Sequence, residues 1–428
     1  MTIAAILFIS LFAFMIFQVP VGFALGCASI MAIVFGAKLT MSTIPQMMVV
    51  GCDSFPIMAI PLFVLAGDLM GAGGVSRRLL DFFNIFFGRM IGGTAIVTVA
   101  ASMFFAAVSG SGPATVAAVG AMVVPTMVRQ GYSKRFSLAL VAAAGCIGVI
   151  IPPSIPMVIF GISTSTSITD LFAAGFGPGI LIGIALMAYC YYHCRKNNWR
   201  GESQPFTMGQ MFTGFWDAKW ALINPLIILG GIYGGIFTPT EAAAVAAVYA
   251  FVCGAFIYRE LPLKELFKVI GGSCVTTATV MAILGCATVF TKILTIMKVP
   301  DVVSAAIMSS TDNTIVILLL INVLLLIVGC FMDTPPAIMV LSPILLPIAE
   351  SIGVHPVHFG IIMVVNLAIG FVTPPLGINL FVAARVGNEK FEEVVRGIIP
   401  FILVMVTCLL IITFVPSLSL AVPKWLAK

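Results

Sequence analysis

Charge is what this chain has least of. Asp, Glu, Lys and Arg together make up 9% of its 428 residues, against 61% hydrophobic ones. A soluble domain carries roughly 25% charged residues, so the composition excludes one and points to a polytopic membrane protein. The short alternating segments of a porin-like barrel are absent. Apolar runs of about 20 residues, long enough to cross a bilayer as helices, recur from end to end instead. No Walker motif is present, so this chain does not itself draw on ATP. None of the ten cysteines forms a CxxC pair, and they read as small apolar packing residues. The three histidines, His193, His355 and His358, are expected in loops, which leaves no metal or general-base centre and no sign of an enzyme. The first apolar run, Ile3 to Phe17, lacks a basic leader region and a convincing cleavage site, and it reads as a retained helix. The net charge of +5 is spread over connecting loops, so it reports topology and not nucleic-acid binding.

What the chain does have is a repeat. Pro113, Pro125, Gly131, Gly148, Pro152, Pro153 and Pro178 return as Pro335, Pro347, Gly353, Gly370, Pro374, Pro375 and Pro400, at one offset of 222 residues without a gap. Pro156 is the exception and faces Ile378. A duplicated apolar segment interrupted by Gly and Pro is the sequence pointer to the binding site of a secondary transporter.

The basic residues give the two copies a direction. Lys and Arg gather at 77–89, 129–135, 195–219, 259–268 and 385–396, loops that the positive-inside rule puts in the cytoplasm. The partner of 129–135 is 351–357, and the partner of 77–89 is 299–311; neither partner holds Lys or Arg. Conversely, 163–170 carries no basic residue while its partner 385–392 does. Equivalent loops thus lie on opposite sides, which makes the halves an inverted-topology repeat.

The expected fold is therefore all-α and polytopic, with two inverted repeats of five crossings, one of them broken, and one re-entrant hairpin each. The first repeat covers 1–192, with helices near 3–18, 21–37 and 50–75, a hairpin at 91–128, a broken helix at 136–168 and a return helix at 171–191. A cytoplasmic linker, 193–219, leads to the second repeat, 220–428. That half has helices near 220–236, 240–258 and 270–298, a hairpin at 313–350, a broken helix at 357–385 and a last helix at 397–416. Both termini fall on the outer side. The segment Arg77 to Met90 mixes flanking arginines with phenylalanines and reads either as a helix lying at the interface or as a loop. Charge alone leaves the paired segments open as full spans, but their small, polar, Pro-rich turns favour hairpins lining a site.

Each half offers one hairpin tip and one helix break. Proline at a break removes N–H donors and disfavours helical geometry just before it, freeing carbonyl oxygens. Loose carbonyls suit Na⁺ and helix N-termini suit an anion. Gly148 to Pro153 with the tip at Ser109 would make one cation site. Gly370, Thr373 and Pro374 with the tip Gly329 to Asp333 would make its twin. Asp333 faces Ser111 across the repeat, and it could coordinate the ion, take a coupling proton or cap the following helix. Ser111, Ser154 and Asp333 are the candidate substrate or coupling residues. Asp53, Asp68 and Glu241 are expected nearer interfaces, and the hydroxyl-rich stretch 163–169 is expected to be a polar connection.

Several stretches also carry a family likeness. SFPIMAIPLFVLAGDLMGAGGVSRR (Ser54 to Arg78), SGSGPATVAAVGAMVVP (Ser109 to Pro125), IIPPSIPMVIFG (Ile150 to Gly161), GIFTPTEAAAVAAVYA (Gly235 to Ala250) and GFVTPPLGINLFVA (Gly370 to Ala383) resemble the large membrane subunit of tripartite ATP-independent periplasmic (TRAP) transporters. The resemblance spans essentially the whole chain. It implies an elevator-type architecture of the ion-transporter kind in the bacterial inner membrane. The activity it implies is Na⁺-coupled import of an organic anion such as sialic acid, a C4-dicarboxylate or a sugar acid, with no cofactor beyond the coupling ion. It further implies a small four-helix membrane subunit and a periplasmic substrate-binding protein as partners. Carried over by motif, it places one Na⁺ site at Ser109, Gly148, Ile151 and Pro153, and a second at Gly329, Gly370, Thr373 and Leu376. The alternative is a stand-alone Na⁺/anion symporter of similar architecture.

Overall fold

A computed structural model describes residues 2–36, 39–200, 208–310 and 313–426. Among them the ordered elements are helices, with no named strand. The first half runs α1 (Thr2–Ile16), α2 (Val21–Val34), α3 (Thr43–Cys52), α4 (Ala59–Ala72), α5 (Val75–Phe87), α6 (Gly93–Ser109), α7 (Gly112–Arg129), α8 (Lys134–Cys146), α9 (Ile155–Thr164) and α10 (Ile168–Lys196). The second runs α11 (Met208–Tyr233), α12 (Pro239–Val252), α13 (Leu263–Ile296), α14 (Val299–Ser310), α15 (Thr314–Phe331), α16 (Thr334–Ser351), α17 (Pro356–Gly370), α18 (Ile378–Gly387), α19 (Phe391–Phe414) and α20 (Ser417–Leu426). Eight helical stretches among the described residues are long and apolar enough to cross a membrane. The all-helical, polytopic expectation therefore holds. The longest, α13, has 34 residues, or about 51 Å at 1.5 Å per residue, more than the roughly 30 Å hydrocarbon core.

Helix boundaries recur at the repeat offset. Shifted by 222, α7 falls on Thr334–Ser351, the full extent of α16, and α8 begins where α17 begins. The same punctuation produces both copies: Ser111 and Asp333 cap α7 and α16, each followed by proline in the first turn, where its missing N–H costs nothing. One pair breaks the pattern. The helix expected near 50–75 is divided into α3 and α4 by Asp53 and an extended Ser54 (φ −145°), whereas its counterpart α13 is continuous. Pro56 favours the division, because in a continuous helix it could not donate back to Cys52 O. The segment Arg77 to Met90, left open in the sequence, is largely helix α5.

The core sits on the first halves of the two broken helices. Every residue of α8 from Phe136 to Cys146 is buried, as is every residue of α17 from Val357 to Gly370. Helices apolar on all sides belong inside a bundle, and these two are enclosed by the hairpins and by α9, α10, α18 and α19. At one end the start of α8 meets the start of α19 and the loop before it. Lys134 Nζ lies 3.0 Å from Glu389 Oε2, and Arg135 pairs with Glu393. Two of the basic clusters are thereby neighbours in space.

Two of the three histidines are not in loops. His193 is in the last turns of α10, stacked on Phe136 with centroids 4.8 Å apart, and His358 is buried in α17; His355 caps that helix. An imidazole carried by a helix can bury one face against an aromatic ring, which loop-versus-helix composition does not report. His358 Nε2 reaches Thr413 O at 3.3 Å, beside a buried amide network. Asn366 Nδ2 donates to Asn322 Oδ1 at 2.7 Å, and Asn322 Nδ2 donates to Thr413 Oγ1 at 3.2 Å. This network pins the outer arm of the second hairpin, α15, to α17 and α19. Asn322→Leu is expected to cost about 1–2 kcal/mol by leaving the Asn366 amide short of an acceptor. Thermal unfolding in detergent checks it; an unchanged midpoint would mean the network carries no stability.

Candidate functional site

Both hairpin tips and the first helix break meet at one cavity of about 350 Å³. Its walls include Ser109 to Ala114 from the first tip, Val149, Ile155 and Pro156 from the first break, and Asp333 to Pro335 from the second tip. Phe371 enters from the second break, Gly67 and Asp68 from α4, and Thr276 from α13. Each contributing segment is held there by local chemistry. The chain turns out of α6 through Gly110 at φ 58°, a left-handed conformation that favours glycine, and a Cβ there would lie 2.9 Å from Pro153 O.

The first tip therefore packs straight onto the first break. Ser109 is buried, and its Oγ lies 3.1 Å from Thr115 Oγ1, which in turn donates to Ser111 O at 2.8 Å. A Cβ on Gly148 would sit 2.7 Å from both Ser111 O and Thr115 Oγ1. Ser109, Gly148 and Pro153 are thus brought together, and Ile151, in the same break, buries its side chain against Gly179 of α10. Ser154 acts within the break itself. Its Oγ donates to Val149 O and accepts from Met157 N–H, which ties the two halves of the broken helix together.

The second tip and break close in the same manner. A Cβ on Gly370 would lie 2.7 Å from Gly329 Cα, and Leu376 N–H donates to Cys330 O at 3.1 Å. Thr373 sits in the turn with its hydroxyl donated to Ile369 O at 2.8 Å. Gly329, Gly370 and Leu376 are brought together, and Thr373 lies in the turn between the last two, its N–H donated to Gly370 O at 3.1 Å. The Asp333 carboxylate caps α16 by accepting from Thr334 N–H at 2.7 Å, and the residue lines the cavity.

Two site residues carried no sequence signal. Thr115 bridges Ser109 and Ser111, yet its repeat partner is Ala337. Asp68, expected near an interface, faces the cavity from α4 and accepts from Ser273 Oγ at 2.6 Å. α4 continues one turn past it, to Ala72, before Arg77 and Arg78 begin in α5.

The electrostatics of the cavity are one-sided in an informative way. No Lys, Arg or His lines it among the described residues, while two carboxylates do. Three helices, α7, α9 and α16, begin at its wall, and helix N-termini attract anions through free N–H groups and the macrodipole. Carbonyl and hydroxyl oxygens cluster where tips meet breaks, the ligand chemistry of a hard cation. No group of three His, Cys, Asp or Glu side chains among the described residues is placed to hold a transition metal.

Residues 8–418 match the family described as the DctM component of the tripartite ATP-independent periplasmic transporter. The chain is 50% identical over 407 residues to the isethionate TRAP transporter permease protein DctMQ of Oleidesulfovibrio alaskensis. That alignment covers 95% of this chain and 64% of the relative, so the chain spans a little under two thirds of that protein's length. It is 42% identical to the C4-dicarboxylate TRAP transporter large permease protein DctM of Pseudomonas aeruginosa, covering 87% of each chain. Identity to the sialic acid TRAP transporter large permease protein SiaM of Vibrio cholerae is 36%, over 95% of each. Among solved structures, the YdaH transporter of Alcanivorax borkumensis, described as having an unusual topology, superposes with a TM-score of 0.62. That likeness covers 87% of this chain and 86% of the other at 13% identity, and so speaks for the fold alone.

Proposed function

Because the chain belongs to the DctM component family of tripartite ATP-independent periplasmic transporters, we propose that it is the large membrane subunit of a Na⁺-driven importer of a small organic anion. The observation that carries this reading is the cavity itself: three helix N-termini and two carboxylates converge on it with no basic side chain among the described residues. An anion entering such a site is held by N–H groups and needs cations nearby to balance Asp68 and Asp333. The sites at Ser109, Gly148, Ile151 and Pro153, and at Gly329, Gly370, Thr373 and Leu376, would hold the co-transported Na⁺ largely through backbone oxygens, with Thr115 and Ser109 adding hydroxyls. Named relatives act on isethionate, C4-dicarboxylates and sialic acid, which supports a carboxylate or sulfonate as cargo.

The protein lies in the bacterial inner membrane with both termini periplasmic and the basic loops in the cytoplasm. The contact between Lys134 and Glu389 supports this by joining two basic segments that the charge pattern assigns to that side. Residues 1–192 and 220–428 form the inverted repeats, joined by the linker 193–219. The hairpins and broken helices move as one body against the remaining helices, carrying the site across the bilayer. A small four-helix membrane subunit completes the scaffold, and a periplasmic binding protein delivers the substrate.

The test of that last assignment is reconstituted uptake with and without the binding protein. Its omission should abolish transport. Undiminished uptake in its absence would favour the stand-alone symporter instead.

A further inference from the structure

The two candidate cation sites are not independent, and one side chain joins them. Asn379 stands in the first turn of α18, just beyond the second break, and is fully buried. Its backbone N–H donates to Phe371 O at 3.0 Å, closing the loop that leads out of Gly370. Its side chain crosses into the other half of the molecule. Nδ2 donates to Ala142 O at 3.1 Å and lies 3.6 Å from Cys146 Sγ, both on the helix that runs into Gly148. Oδ1 accepts no hydrogen bond among the described residues.

The same amide also touches the first hairpin. A Cβ on Gly112, the first residue of α7, would meet Asn379 Oδ1 at 3.3 Å, the Phe371 ring at 3.1 Å and Gly145 O at 3.1 Å. A Cβ on Gly145 would meet Asn379 Nδ2 at 3.1 Å and Gly112 O at 3.1 Å. Glycine at both positions lets tip, break and amide approach this closely. The arrangement has no mirror in the other half, because the residue 222 positions before Asn379 is Met157, whose side chain packs against Gly175 and offers no amide.

We propose that Asn379 is a positioning residue that couples the two cation sites: order in the loop from Gly370 to Gly377 sets Asn379, and Asn379 sets Ala142 to Cys146 and Gly112 in the geometry of the first site. This rests on the reading of both tip-and-break sites as Na⁺ sites. A cation at the second site tightens the loop that carries Asn379, so the first site is prepared before its own cation arrives. The two sites then bind with positive cooperativity, and by thermodynamic reciprocity each favours the other. The amide donor is effective because full burial shields it from bulk solvent.

The experiment is the Na⁺ dependence of uptake by the complete reconstituted transporter, with choline replacing Na⁺ to hold ionic strength. Native protein should give a Hill coefficient approaching about two. Asn379→Leu fills the same space without the amide. It should lower the Hill coefficient towards about one and raise half-saturating Na⁺ about 3- to 10-fold, with uptake at saturating Na⁺ preserved. A structural defect alone would reduce the maximum and leave the steepness unchanged. Asn379→Ala, which removes the amide without filling its place, should flatten the curve in the same way and serves if Asn379→Leu does not fold. Native steepness in a folded variant overturns the coupling while leaving the Na⁺ sites standing. A native curve that depends on Na⁺ without cooperativity does the same. Uptake by the native protein with no Na⁺ dependence overturns the function and the coupling together.

Discussion

Gly370→Ala reduces transport about 100-fold while the protein still inserts and folds as a helical bundle. The expectation follows from where the new methyl group must go. It would lie 2.7 Å from Gly329 Cα, inside the packing of the second hairpin on the second break, and the atom it meets is backbone. A flexible side chain could turn aside, whereas Gly329 can yield only if the hairpin tip lifts. Overpacking of this kind costs about 1–3 kcal/mol, and about 2.7 kcal/mol is a hundredfold in an equilibrium constant. The cost falls on the closed tip, which is the arrangement proposed to bind Na⁺, and less on the folded bundle as a whole. Gly271→Ala is the matching control, because a Cβ there meets nothing within 4 Å. Initial rates of uptake for the two variants, normalised to protein in the bilayer, check the prediction. Equal rates would remove the tight tip-to-break contact from the mechanism.

The second large effect belongs to Asp333. Its carboxylate is the N-cap of α16 and also a wall of the cavity, so cap and charge have to be separated. Asparagine caps a helix about as well as aspartate, and alanine costs about 0.5–2 kcal/mol of helix stability. Asp333→Asn therefore keeps the helix start and removes only the charge. If the carboxylate offsets a bound cation in the cavity, its loss is worth about 1.5–3 kcal/mol, or roughly a 10- to 150-fold weaker response to Na⁺. The melting temperature should stay close to that of the native protein. Were Asp333→Asn to transport normally and only Asp333→Ala to fail, Asp333 would be a cap and nothing more.

Much of this architecture is written in the sequence because helix breaks have a chemical signature. Pro152-Pro153 and Pro374-Pro375 disfavour a continuous helix, and the structure ends α8 and α17 before them. The hairpin turns at Ser109 to Pro113 and Met332 to Pro336 carry the same punctuation. Local chemistry of this kind survives without tertiary context. What needed the folded chain were the contacts between distant segments. Nothing around Asp68 distinguishes an acid facing a cavity from one facing solvent until α13 brings Ser273 to it, 205 residues away in sequence. Thr115 and Asn379 were invisible for a related reason, since each acts across a contact that the repeat does not duplicate. The start of α11 at Met208, twelve residues before the expected 220, escaped because the tryptophan-bearing stretch ahead of 220 lies next to the basic residues assigned to the linker.

The asymmetries separate the roles of the halves. Ser111 faces Asp333, Thr115 faces Ala337 and Met157 faces Asn379 across the same offset. In this reading the first half supplies a hydroxyl-lined site, while the second supplies the charge and the amide that binds the two sites into one unit.

The most direct measurement is uptake of a radiolabelled organic anion by proteoliposomes containing the complete transporter, under an inward Na⁺ gradient that a Na⁺ ionophore can collapse at will. Uptake should stop when the gradient is collapsed and resume when it is restored. Accumulation that continues unchanged through the collapse would contradict Na⁺-driven transport by this chain.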